Sequence, residues 1–122
     1  MTFPTISYRY NNVPEAESLA EIVDQKMAPF DKFLHGASAA TCDVEFEKVA
    51  PQQNGQVHRV EVNLMVEGTL YRADAVEESF EKAIDEVRDE LDKELRRAKD
   101  KQVTKDKQAG RAMKEQMLEG GE

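Results

Sequence analysis

Hydrophobic positions along this chain fall into two rhythms, one of period two and one near three and a half. From Val76 to Lys101, Phe80, Ile84, Val87, Leu91 and Leu95 recur at steps of four, three, four and four. That spacing puts them on one stripe of an α-helix, which Val76 extends backwards and Ala98 forwards. No Gly or Pro interrupts the run, and strong helix formers dominate it. Glu77, Glu78 and Glu81 open it, while Arg96, Arg97, Lys99 and Lys101 crowd its end, the order favoured by the helix dipole. A second helical stripe, Leu19, Ile22, Val23 and Met27, predicts a helix from about Pro14 to Ala28, with Phe30 and Leu34 continuing it. Pro29 removes a backbone donor, so a kink or restart is expected there, and Gly36 after His35 is a plausible C-terminal cap.

The period-two segments read as strands. Thr5 to Tyr10 is β-branched and aromatic, with Ile6 and Tyr8 on one face and Ser7 and Arg9 on the other. Ala40 to Val49 alternates Cys42, Val44 and Phe46 against Asp43, Glu45 and Glu47. Pro51 to Gly55 is a hairpin loop, and Val57 to Val66 returns with His58, Val60, Val62, Leu64 and Val66 on one face. After a tight turn at Glu67-Gly68, Thr69 to Ala75 forms a fourth strand leading into the long helix. The predicted fold is α+β, in the order β-α-β-β-β-α: a two-layer sandwich whose four-stranded sheet carries two helices on one face. The other face, with Asp43, Glu45, Glu47, Arg59 and Glu61, is expected to be wet. Residues 1–101 form one domain in this reading, and residues 102–122 a flexible charged tail anchored only by Val103, Met113, Met117 and Leu118.

Composition narrows the function classes. The chain has 122 residues and a net charge of −8, and 34% of its residues are charged. Yet eight basic residues and only two acidic ones, Asp100 and Asp106, lie between Arg96 and Lys114, so an acidic body carries a basic end. No apolar run is long enough to cross a bilayer and no signal-peptide pattern opens the chain, so a cytoplasmic location is expected. Cys42, the single cysteine, reads as a small core residue. His35 and His58 lie in different elements without metal-ligand spacing; His58 reads as structural or surface-lying. No phosphate loop, nucleophile elbow or carboxylate pair in a cleft is visible, so the reading is a non-enzymatic binding protein needing no cofactor, metal or small-molecule substrate.

Two binding surfaces stand out. One is the basic flank of the helices, where Lys26, Lys32, Lys82, Arg88, Lys93, Arg96, Arg97, Lys99 and Lys101 suit phosphate contacts, with Arg9 and Arg72 on flanking strands able to join the same side. The other is the acidic sheet face, which would serve a protein-interaction module engaging a basic partner.

The residues also resemble a known family. Arg72-Ala73-Asp74-Ala75, Glu77-Glu78, Ala83-Ile84-Asp85, and Leu91 to Leu95 followed by Arg96-Arg97 are similar, in that order, to motifs of the ribosome hibernation promoting factor and ribosome-associated inhibitor A family. Leu19, Val23, Lys26 and Lys32 resemble its first helix, and the likeness spans roughly residues 5–101. It implies a stress protein that inhibits translation by binding the small ribosomal subunit in the messenger and transfer RNA channel, against 16S rRNA. The rRNA-binding residues it implies are Arg9, Lys26, Lys32, Arg72, Arg88, Lys93, Arg96, Arg97, Lys99 and Lys101. Long members add a dimerising domain for which the residues after Lys101 are too few, so the likeness is to the short form, expected to be a monomer off the ribosome.

Overall fold

A computed structural model describes residues 3–34, 37, 39–51 and 55–120, with side chains as far as residue 101. The elements are β1 (Ile6–Asn11), α1 (Glu17–Met27), a 3-10 helix (Ala28–Leu34), β2 (Ala40–Lys48), β3 (His58–Val66), β4 (Thr69–Glu77) and α2 (Phe80–Gly120). The four strands form one sheet in chain order, β1 parallel to β2 and the other neighbours antiparallel. The crossover from β1 to the parallel β2 runs through α1 and the 3-10 helix.

Strand alternation sorts the sheet into two faces. Cys42, Val44, Phe46, Val60, Val62, Leu64, Ala73 and Ala75 join Leu19, Val23, Met27, Phe30, Ala83, Ile84, Val87, Leu91 and Leu95 in one buried cluster, so both helical layers cover the same face. Phe46 lies at an aromatic centre, stacked on Tyr8 and Tyr10 and met edge-on by Phe80. His58 packs its ring edge-on against Phe80 at 4.8 Å, a structural placement that matches its reading from sequence.

Several boundaries shift, each for a local reason. The long helix starts at Phe80, because Ser79 caps it: its Oγ accepts the Lys82 N–H at 3.2 Å and its carbonyl the Ala83 N–H. Val76 therefore does not extend the helical stripe. It belongs to β4, opposite Arg59, and is 37% exposed. Helix α1 starts at Glu17 and not at Pro14, since Ala16 is extended and its carbonyl receives both the Leu19 N–H and the Tyr10 hydroxyl. The α-helix ends at Met27, two residues before Pro29, and the 3-10 helix that contains the proline still buries Phe30 and Leu34. The β3–β4 turn is tight, with positive φ at both Glu67 and Gly68, as a mirror-image two-residue turn requires.

The backbone of α2 continues to Gly120, through the stretch that the sequence set apart as a tail. The side chains of the expected anchors Val103, Met113, Met117 and Leu118 fall beyond those described, and the His35-Gly36 cap and residues 52–54 of the hairpin loop lie outside the described residues.

Candidate RNA interface

The ten candidate residues do not share one surface. Arg9 is flanked by Tyr8 and Tyr10, and Arg72 by Tyr71 and Ala73, all facing the helices. Alternation therefore turns both arginines onto the open sheet face. Contrary to the expectation from sequence, neither adds to the helical side. Arg9 Nε lies 3.9 Å from Glu45, and Arg72 Nε 2.8 Å from Glu61. Between them Arg59, its side chain only 17% exposed, reaches Glu45, Glu47, Glu61 and Asp74 at 2.7 to 3.6 Å. Burial opposes the charge on Glu61, but hydrogen bonds from Arg59 and Asn63 and the nearby Arg72 outweigh it and hold the carboxyl below the usual range. The wet face is a cross-linked network of charges.

On the helical side the cations form two groups. In the middle of the α1–α2 groove each has a carboxylate partner. Lys26 of α1 meets Asp85 of α2 at 3.0 Å, and Arg88 holds its neighbour Asp89 at 2.8 Å. Lys26, Arg88 and Asp89, together with Gln25, Pro29, Phe30 and Asp92, line a cleft of about 320 Å³. Asp85 and Asp89 thus neutralise the two cations of the mid-groove, and Asp92 adds a further carboxylate to the cleft. Glu86 lies elsewhere, hydrogen-bonded to Glu77 at the end of β4 and close to Glu90; this carboxylate company raises its pKa.

Further along α2 the balance changes. Lys93, Arg97 and Lys101 follow one another at four-residue steps on the outer surface, all exposed. Arg96 and Lys99 turn toward the 3-10 helix. Arg96 bonds Asp92 at 3.0 Å and also lies over the Phe33 ring, while Lys32 approaches the same ring from its own side chain at 5.2 Å. Among the described residues Lys32, Lys93, Arg97, Lys99 and Lys101 have no ion pair. Six cations thus gather at one end of the helical layer, five of them without a carboxylate partner, and the sequence had assigned all six.

The aromatic component was missed. Phe33 is half-buried and holds two cations over its ring, and Tyr71 is half-buried on β4 nearby. A signal for Phe33 existed: it falls off the apolar stripe that runs through Phe30 and Leu34, immediately after Lys32.

Residues 6–103 match the family model described as sigma 54 modulation protein / S30EA ribosomal protein. The chain belongs to that family. Among its relatives, the ribosome hibernation promotion factor of Deinococcus radiodurans is 31% identical over 100 residues, which is 82% of this chain and 51% of that protein. The chain thus spans about half the length of that relative. Two solved structures share the fold. The N-terminal domain of Thermus thermophilus Protein Y superposes with a TM-score of 0.63 at 20% identity, covering 77% of this chain and 98% of the other. A ribosomal subunit interface protein from Coxiella burnetii gives 0.58 at 18% identity, covering 77% and 96%.

Proposed function

We propose that this protein is a non-enzymatic, cytoplasmic ribosome hibernation factor that binds the small ribosomal subunit and blocks the messenger and transfer RNA channel. The observation that carries the reading is the partition of cations on the helical layer. Phosphate contacts need charge that internal carboxylates do not already satisfy, and the stretch 93–101 of α2 with Lys32 supplies it. Lys32, Lys93, Arg97, Lys99 and Lys101 are the proposed contacts to 16S rRNA, with Arg96, already bonded to Asp92, as a secondary one. Lys26 and Arg88, paired in the groove, contribute less, and Arg9 and Arg72, on the far face, contribute nothing to this surface. The family membership and the name of the Deinococcus relative support the ribosome as partner.

An acidic sheet face serving a basic protein is less well supported, because three arginines already engage its carboxylates. The test is sedimentation of the purified protein with isolated small and large subunits through sucrose at two salt concentrations. Comigration with the small subunit at low salt, lost at high salt, is expected. About five or six phosphate contacts give a slope of roughly −4 to −5 in log affinity against log salt. Comigration with the large subunit alone, or binding indifferent to salt, overturns the reading.

A further inference from the structure

Where the 3-10 helix, the β3–β4 turn and the basic part of α2 converge, a cleft of about 550 Å³ opens. Its apolar floor is Val66, Leu95 and Ala98, its walls carry the rings of Phe33 and Tyr71, and Lys32 and Lys99 belong to its lining. This volume falls within the range of pockets that hold small organic ligands. Among the described residues that line it, Glu67 is the one acid against those two lysines.

The way the cations are held distinguishes this cleft from the mid-groove. Lys26 and Arg88 are fixed by carboxylates, which cancel their charge. Lys32 is steadied by the face of Phe33 at 5.2 Å, an attraction that positions an ammonium group without cancelling it. The Arg96 guanidinium lies 5.6 Å from the same ring, but Asp92 offsets its charge, so Lys32 and Lys99 are the cations left to the cleft. Tyr71 presents an aromatic ring whose hydroxyl has no hydrogen bond among the described residues. A flat apolar group that carries an anion a few ångströms away fits such a lining. In a nucleic acid, an unstacked nucleotide has that chemistry: base against ring, phosphate between cations.

We propose that this cleft takes one unpaired nucleotide of the bound RNA, its base packed against Tyr71 and the Leu95–Ala98 floor and its phosphate between Lys32 and Lys99. The inference rests on the RNA-binding reading and deepens it, adding a contact to an unstacked base to a surface that otherwise holds only the backbone. Helical RNA offers no such base, so the cleft favours a single-stranded bulge or loop over a duplex.

The test uses the full chain, isotopically labelled, titrated with a short single-stranded oligoadenylate, a duplex RNA of the same length, adenosine 5′-monophosphate and inorganic phosphate. Amide shifts at Phe33, Glu67, Tyr71 and Lys99 are expected with the single strand, and markedly weaker ones with the duplex and with inorganic phosphate. Tyr71→Leu keeps apolar bulk against the core and should weaken single-strand binding at least about fivefold. Lys99→Gln, at an exposed position, should weaken it without altering the fold. Equal shifts from duplex and single strand, or none in the cleft, overturn the proposal. Tighter binding of the free monophosphate than of the oligonucleotide overturns the assignment to RNA. Small-subunit sedimentation run in parallel separates the two readings: a wild-type chain that sediments while its cleft stays silent refutes only the cleft, and a responsive cleft without sedimentation refutes only the ribosomal role.

Discussion

Lys26 of α1 and Asp85 of α2 meet across the helical layer, Nζ to Oδ1, at 3.0 Å. The pair braces the two helices and at the same time removes Lys26 from the charge available to a polyanion. Its side chains are 37% and 52% exposed, so solvent screens the attraction. Lys26→Gln is therefore expected to lower stability by less than about 1 kcal/mol in urea denaturation. It should also weaken RNA binding less than Lys99→Gln does. A larger binding loss for Lys26→Gln would show that the groove opens its ion pairs on binding.

Arg59 is the strongest electrostatic dependency of the sheet. Removing it leaves Glu45, Glu47, Glu61 and Asp74 close together with one compensating cation fewer. Arg59→Ala should cost about 1–3 kcal/mol, below the figure for a fully buried pair because the network is partly solvated. The pH dependence has a definite sign. Glu61 has its folded pKa held below the ordinary 4.5, so its contribution is present above that value and is lost as pH falls through the lower folded one. Acid titration of stability should be steeper in this range for the wild type than for Arg59→Ala.

A buried thiol and a half-buried phenol give the opposite sign at high pH. Cys42 is 2% exposed, and burial, with Asp43 and Asp24 nearby, pushes its thiol up from 9.0 to about 12. Tyr8 is raised well above 10.0 by burial and by the hydroxyl it donates to Asp24 at 2.6 Å. Both pKa values are raised on folding, so both groups stabilise below their unfolded values and cease to do so as pH climbs toward the folded ones. The expected result is a thiol inert to aromatic disulfide reagents at pH 8 in the folded protein and reactive on unfolding. Rapid labelling of the folded chain would contradict the burial of Cys42.

Ser79→Ala removes the oxygen that accepts the Lys82 amide, and a loss of about 1 kcal/mol in thermal denaturation is expected.

The architecture was readable because each periodic run has one buried face. Cys42, Val44 and Phe46 on β2 and Ile84, Val87, Leu91 and Leu95 on α2 could be placed by counting alone. What escaped depends on partners distant in sequence. Val76 has helical spacing to Phe80, yet ladder pairing with Arg59 and the Ser79 cap draw it into β4. The parallel pairing of β1 with β2 leaves no local trace in either strand. The candidate interface was legible in part. Arg9 could have been excluded from the helical side by the alternation that placed Tyr8, and Arg72 by carrying the same alternation into the fourth strand, whereas the neutralising contact of Asp85 with Lys26 joins positions far apart in sequence and needed the packed helices to be seen.

In the proposed binding mode, unpaired cations at one end of the helical layer, and not the arginines of the sheet, hold the small subunit. Sedimentation with small subunits at low salt, comparing the triple variant Lys93→Gln, Arg97→Gln, Lys101→Gln with the double variant Arg9→Gln, Arg72→Gln, tests it most directly. The triple variant should bind at least about tenfold more weakly, with a salt slope shallower by about 2–3, while the double variant stays within about twofold of the wild type. Loss of binding in the double variant, with the triple variant unaffected and both still folded, would contradict the account and move the interface to the sheet.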